Sequence, residues 1–492
     1  MLWKKLIHND INGKIFKVIF NIYDKAKSCV QSNKTLSSFF ASSTGVRQGE
    51  NLSPILFSIY LNDLVSHMSQ YCNGLETLSQ TFKMHLSDDT VEVFLKLFLL
   101  LYADDTVIFA ETKQELQTAL DAMKTYCDMW KLQVNSAKTK VIIFSRSKNR
   151  NNEDFYYDNS KLENMEDFSY LGIKFSCKGK FDKAKKHLCD QARKAMFSVL
   201  KKARSLCLDI DLQLHLFDTM VVPILLYGSE VWGIENNLII NRFQLDFYKR
   251  ILSVKKCTTT VMIHGELGSL PLDKVIKFRV LNYWGKLVNS KHDKISYMMY
   301  KLMLKLHSHN IYHSPWLNYV KESLEQLGFA NYWYSQSVES NHVFSKLIKQ
   351  RIRDQYTQYW NEQIFSLSKC STYRIFKSCF VLEEYFKILP NKLALALCRF
   401  RCSSHKLPIE RGRYFNVERN QRLCHFCNSN SLGDEFHYIF ECNKFCNERR
   451  RYIPRQYLRP NTYNLEHIFQ SDNRDVLLKL AIFVEKIMDA FV

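Results

Sequence analysis

The stretch from Leu97 to Glu111 constrains this chain most: Leu-Phe-Leu-Leu-Leu-Tyr-Ala-Asp-Asp-Thr-Val-Ile-Phe-Ala-Glu. Two apolar runs, Leu97 to Leu101 and Val107 to Ala110, flank a polar centre, and the second is β-branched and aromatic. Such runs suit the paired strands of a buried hairpin. The adjacent carboxylates Asp104 and Asp105 then fall at its turn. Acids held on an apolar hairpin are costly unless something neutralises them, and a divalent cation does so. Metal-bound carboxylates of this kind clamp the attacking and leaving oxygens in phosphoryl transfer. A plain Asp-Asp turn shares the local pattern, because Asp is a favoured turn residue.

The next segment extends the polymerase reading. Leu116, Ala119, Leu120, Met123 and Cys127 recur at helical spacing, which predicts an amphipathic helix over Lys113 to Trp130. Asn135-Ser-Ala-Lys138-Thr139-Lys140 follows and leads into an expected strand, Val141 to Phe144. Tyr-Ala-Asp-Asp, a helix, then Asn-x-x-Lys-Thr-Lys and a short strand resembles the palm of a non-LTR (LINE-type) retrotransposon reverse transcriptase. The resemblance implies that Asp104 and Asp105 bind catalytic magnesium or manganese. It also implies that Lys138 neutralises charge on the triphosphate or the departing pyrophosphate.

Leu2-Trp3-Lys4-Lys5-Leu6 resembles the segment that follows the family's first catalytic motif, a strand ending in a metal-binding aspartate. That motif is expected shortly before Leu2, so the sequence reads as N-terminally truncated, with an incomplete carboxylate set. Asp10 sits in a polar turn and Asp24 within a helix predicted over Ile15 to Val30, so neither is a good substitute.

Gly45-Val-Arg47-Gln48-Gly49 precedes Leu52-Ser53-Pro54. Glycines permit a sharp turn and close ligand approach, and Ser-Pro suits a helix start, here predicted over Ile55 to Leu64. A loop that merely caps a helix has the same pattern. The family's second palm motif is closely similar, which implies template and nucleotide contacts for Gly45, Arg47, Gln48 and Gly49, with Tyr102 beside them. A second acid pair, Asp88-Asp89, lacks a continuous apolar strand before it and reads as a cap or turn.

Phe168-Ser-Tyr170-Leu171-Gly172 resembles the family's primer-contacting hairpin. The helix predicted over Phe181 to Leu206 carries an apolar stripe of Leu188, Ala192, Ala195, Met196, Val199 and Ala203. Its other faces hold Lys183, Lys185, Lys186, Arg193, Lys194, Lys201, Lys202 and Arg204, offset only by Asp182 and Asp190. A solvated face normally mixes signs, so this one suits a polyanion, with Lys194, Lys201 and Lys202 as the nucleic-acid contacts. Leu214 to Trp232 resembles the family's thumb, and Pro223 within it should start or kink a helix. Between Gly265 and Phe400 the pattern is helical without recognisable chemistry, and Trp284, Trp316, Tyr332, Trp333 and Trp360 read as packing residues.

Near the end, Cys424-x-x-Cys427, nine residues, His437, four residues and Cys442 fit a tetrahedral zinc site. Buried thiols with a core histidine are the alternative, and Cys446 is a spare thiol or substitute ligand. Basic residues crowd this knuckle: Arg411, Arg413, Arg419 and Arg422 before it, Lys444 and Arg449 to Arg451 after it. LINE-type proteins carry a similar Cys-Cys-His-Cys module near the C-terminus.

Composition agrees with a nucleic-acid partner: 69 Lys and Arg against 49 Asp and Glu give a net charge of +20. Fourteen Gly and eight Pro in 492 residues leave little room for long flexible linkers. Fifteen scattered cysteines without a signal peptide read as reduced thiols of an intracellular protein, nuclear or cytoplasmic and not secreted. No apolar run approaches the ~20 residues a bilayer span needs.

The expected fold class is α+β: a right-hand polymerase palm fragment with a helical thumb, a helical C-terminal region and a small zinc knuckle. Expected boundaries are 1–178 for partial fingers and palm, 179–265 thumb, 266–415 helical region, 416–450 knuckle and 451–492 helical tail. Expected partners are an RNA template, a DNA primer or target, and deoxynucleotides. The reading is an RNA-directed DNA polymerase domain whose catalytic set is incomplete. Its rivals are a catalytically dead nucleic-acid-binding remnant and, less well matched by the knuckle, an intron maturase.

Overall fold

The computed structural model describes residues 1–33, 35–41, 45–46, 49–72, 99–102, 105–145 and 153–491. It is mixed, strongly helical, and its strands form six two-stranded sheets among the described residues. The chain divides into two compact units. The first comprises Met1–Phe168, Ser176–Gly179 and His292–Lys305, and the second Ser169–Phe175, Lys180–Lys291 and Leu306–Val492.

The first unit is organised by the helix Lys113–Trp130. Thr112 and Glu115 close a reciprocal capping box at its start, and Lys131 ends it in the left-handed conformation. One face packs Ala119, Ala122 and Tyr126 against Leu61, Leu64, Met68 and Leu99, while Leu120 joins Val141, Phe155, Tyr157 and Leu162. At the edge of this core Lys5 is buried. Its ammonium pairs with Asp63 and lies 3.6 Å from the Trp130 ring centroid, and Tyr126 donates to Asp63 at 2.6 Å. Lys5 and Tyr126 hold the Asp63 carboxyl below its usual range, outweighing the opposing effect of burial.

Three elements differ from expectation. The first amphipathic helix spans Gly13–Asp24 and stops before Val30, because Lys27–Ser28 instead pair antiparallel with Phe40–Ala41. The helix that Ser53-Pro54 opens spans Ser53–Tyr60 and breaks, and a second begins at Leu64; the turn between them presents Asp63 to Lys5. The strand after Lys138 is only Lys140–Val141, which pairs in parallel with Glu163–Asn164.

The second unit is a stack of helices. Leu272–Val288 crosses Asn341–Ser366 closely enough that a Cβ on Gly285 would lie 2.8 Å from the Phe344 ring. Trp284 and Trp360 are fully buried, and the Trp360 indole donates to the Val261 carbonyl at 3.0 Å. Trp316 donates to the Glu230 carbonyl at 2.8 Å, so these rings serve packing as expected. Pro223 acts as anticipated: Ile210–Leu216 passes through a widened π turn, Phe217–Val221, before Val222–Leu225 restarts around the proline.

Candidate functional site

The described residues of the Leu97–Glu111 stretch form a hairpin, as the pattern predicts, with the second strand starting at Asp105 rather than Val107. Leu99–Tyr102 pairs antiparallel with Asp105–Ile108 in the register Leu99 to Ile108, Leu100 to Val107, Leu101 to Thr106 and Tyr102 to Asp105. Leu99 is buried against the core and Ile108 packs beside it, so the inner ends of both strands are anchored to the Lys113–Trp130 helix. Asp105 stands exposed at the head of the second strand. Its partner Asp104 lies outside the described residues, as do Arg47, Gln48 and the Asp88-Asp89 pair.

Gly45 and Gly49 are exposed with φ of +82° and +86°, and an added Cβ would meet nothing within 4 Å at either. Glycine is therefore required there by backbone conformation rather than by space. Lys138 is exposed in a turn built by Asn135, whose carbonyl and side-chain oxygens accept from the Lys138 N–H at 3.0 and 3.1 Å. The 167–176 hairpin turns through Leu171 and Gly172, both with positive φ, as tight two-residue connections require.

The basic helix spans Asp182–Ser205. Lys194, Lys201 and Lys202 are exposed on it, together with Lys183, Lys186 and Arg204. Lys185 departs from the sequence reading: it is buried, donates to the Asn236 carbonyl at 3.1 Å and lies 3.6 Å from Glu235. It is a packing cation, not part of the charged face.

Cys424, Cys427, His437 and Cys442 converge, their ligand atoms all within 4.8 Å of one another. A short hairpin brings the first pair: Leu423 bridges Leu432, and the Cys424 N–H donates to the Ser431 carbonyl at 2.9 Å. The helix Glu435–Phe440 brings the histidine, with Asp434 capping the His437 N–H at 2.9 Å. Cys442 closes the set from the following turn, its N–H bonded to the His437 carbonyl at 2.9 Å.

The spacing of these atoms suits a tetrahedral metal. Zinc–sulfur bonds near 2.3 Å place two ligand sulfurs ~3.8 Å apart and sulfur and nitrogen ~3.6 Å apart. Cys424 Sγ and Cys442 Sγ are 3.8 Å apart, and Cys427 Sγ lies 3.3 Å from His437 Nε2. His437 Nδ1 faces the Glu441 carboxylate at 3.1 Å, the outer partner that fixes the ring of a metal-bound histidine. Burial and the neighbouring thiols push Cys442 up to about 12, whereas at Cys427 burial is outweighed by hydrogen bonds from Ser429, which draw the thiol down to about 6. His425 is exposed, and Cys446 opens the next helix, Cys446–Tyr452.

Sequence reasoning missed three supports of this centre. Glu441 was findable, since it follows His437 by four residues on a helix. Arg449 and Arg422 read as basic surface in the sequence, yet both cross-link backbone. Arg449 donates to the Ile439 and Cys442 carbonyls at 2.8 and 2.7 Å, and Arg422 to Val417 and Ile409.

Residues 4–175, which include the hairpin, the glycine loop and Lys138, match the family model described as reverse transcriptase (RNA-dependent DNA polymerase). The chain carries a reverse transcriptase domain. That domain resembles those of non-LTR retrotransposon RNA-directed DNA polymerases. The chain is 21% identical over 243 residues to the RNA-directed DNA polymerase from mobile element jockey of Drosophila melanogaster, covering 47% of this chain and 24% of the relative. It is 24% identical over 256 residues to the probable RNA-directed DNA polymerase from transposon BS of the same fly, covering 49% and 26%. A third relative there, the Pol polyprotein from type-2 retrotransposable element R2DM, is 26% identical over 168 residues, 32% of this chain and 14% of its own. The alignments thus span about a quarter or less of these three relatives. Among the described residues, no helix beside the reverse transcriptase domain or within it is long and apolar enough to cross a membrane.

Proposed function

We propose that this chain holds the template–primer and the incoming deoxynucleotide for RNA-directed DNA synthesis. In this reading Asp104 and Asp105 bind magnesium or manganese, which would stabilise the charge developing on the transferred phosphoryl group. Gly45, Arg47, Gln48, Gly49 and Tyr102 contact the template base and the nucleotide, and Lys138 sits opposite the triphosphate. Lys194, Lys201 and Lys202 follow the nucleic-acid backbone, and Cys424, Cys427, His437 and Cys442 hold a structural zinc. The observation that carries the proposal is the core-anchored hairpin that ends in Asp105, lying within the matched residues.

A second reading, nucleic-acid binding without polymerisation, is favoured by how three acids of the described N-terminal residues are used. Asp63 is committed to Lys5 and Tyr126, Asp24 ends a helix, and Asp10 is exposed in a turn with φ +56°. A two-metal clamp needs carboxylates from both sides. The test is primer extension on an oligo-primed RNA template with magnesium or manganese, alongside nucleotide-dependent stabilisation of the primed complex. The expected result is no extension by this chain alone, but metal-dependent retention of the complementary deoxynucleotide that Asp105→Ala abolishes. Extension lost in Asp104→Ala would establish a complete site; nucleotide-independent binding would leave only the second reading.

A further inference from the structure

Tyr414 is the most exposed large apolar side chain among the described residues, at 82%, and its neighbour Phe415 is 63% exposed. Their rings meet at 90° with centroids 5.3 Å apart, forming an open corner. This corner is not a frayed end. Gly412 leaves room for Arg422, since a Cβ there would lie 2.5 Å from the Arg422 side chain. Arg422 in turn donates to Val417 O at 2.9 and 2.7 Å and to Ile409 O at 3.0 Å. These bonds fasten both flanks of the segment that carries the two rings. The Val417 N–H adds a bond to the Gly412 carbonyl at 2.8 Å.

Two large rings on a fastened elbow stay mostly in water in the described fold. Their surroundings are mostly cationic: Arg411 and Arg419 are exposed, Arg413 is only loosely paired with Glu410 at 3.5 Å, and Glu418 is the one exposed acid of the segment 411–419. Aromatic faces beside unneutralised arginines suit the unpaired bases of a single strand, whose faces stack while its phosphates meet the cations. A protein partner would be served less well, because an excess of like charges beside an apolar patch must be desolvated.

We propose that Tyr414 and Phe415 form a stacking platform for unpaired bases of a single nucleic-acid strand, with Arg411 and Arg419 on its phosphates. This rests on the nucleic-acid reading given above. A base laid on one ring would meet the edge of the other, the edge-to-face geometry that aromatic pairs favour.

The test compares the full chain with a Tyr414→Ala/Phe415→Ala variant by fluorescence anisotropy, using labelled oligothymidylate and a duplex of equal length. The variant should bind oligothymidylate about tenfold or more weakly, as loss of base stacking predicts, and the duplex as before. Its salt slope should be unchanged, whereas Arg411→Gln/Arg419→Gln should flatten the slope by roughly 0.7 per lost phosphate contact. Tyr414→Trp/Phe415→Trp should restore binding, and unchanged zinc content and circular dichroism show that each variant is folded. Equal losses on both probes, or no loss on either, overturn the platform while leaving the broader reading intact. If the parent chain binds neither probe, the nucleic-acid reading fails and the platform with it; self-association lost in the double alanine variant would assign the corner to a protein contact instead.

Discussion

Arg401 lays its guanidinium against Glu266 with both side chains fully buried, its Nε 3.2 and 3.1 Å from the two carboxylate oxygens. A second carboxylate, Glu383, lies 3.0 Å from Nη2 and is itself paired with Lys377, so two acids and two bases balance. Tyr385 donates to Glu266, and the Phe376 and Phe469 carbonyls accept from Arg401 at 3.4 Å each. One guanidinium thereby joins four segments of the second unit: Thr260–Leu267, the 376–385 loop, Asn391–Arg401 and the end of Thr462–Phe469.

Removing one partner of such a buried set strands the other. Arg401→Met should lower unfolding stability by about 3–5 kcal/mol in urea titration, and Arg401→Lys should not rescue it, because an ammonium lacks the planar fork. The double variant Arg401→Met/Glu266→Met should lose less than the sum of the single losses. Additive losses would mean the two groups act independently.

The Asp182–Ser205 helix should control salt-sensitive nucleic-acid binding. Lys194→Glu, Lys201→Glu and Lys202→Glu together should weaken binding to a primed template by about tenfold or more and flatten its salt dependence, since fewer counterions are released. An unchanged slope would reduce the helix to a solvated face.

The Cys424, Cys427, His437 and Cys442 centre should contain about one zinc, the stoichiometry of a four-ligand site. Cys442→Ser should release it and loosen the region around Leu423 to Phe445. Loss should reach further than the knuckle, because Phe426 and Tyr438 pack on Phe491, at 4.9 and 5.1 Å between ring centroids. Elemental analysis and hydrogen exchange along Arg474–Asp489 are the measurements; metal-free protein with unchanged exchange would leave ordinary buried thiols.

His264 predicts acid sensitivity. It is buried between Tyr248 and Tyr356, and its Nδ1–H faces the Ser269 carbonyl at 2.7 Å. Burial lowers its pKa from 6.5 to about 4, which the Ser269 contact only partly opposes. A depressed folded value means the unfolded chain binds the proton first. The stabilisation is therefore full above pH ~6.5 and lost as pH falls towards ~4, by about 3 kcal/mol at most. His264→Gln should flatten urea-denaturation midpoints across that window; a parallel decline would place the sensitivity elsewhere.

Local pattern was enough for the elements whose causes are local. Apolar arms around Asp104-Asp105 call for a hairpin, Thr112 to Glu115 for a capped helix, Pro223 for a restart, and the Cys-Cys-His-Cys spacing for convergence of four ligand atoms. Each depends on neighbours within a few turns of chain, where backbone sterics and side-chain periodicity act directly. Long-range partners decided the remainder. Lys185 and Lys194 look alike in sequence, yet one is buried beside Trp232 and the other faces water, because packing chooses which side of a helix is covered. Arg422 and Arg449 are indistinguishable in sequence from free surface arginines; only the fold brings carbonyls from other turns to accept their N–H hydrogen bonds. Lys5 and Asp63, and Arg401 and Glu266, lie 58 and 135 residues apart. Nothing in either neighbourhood announces its partner, since the low dielectric that makes these pairs obligatory exists only once the surrounding helices have closed over them.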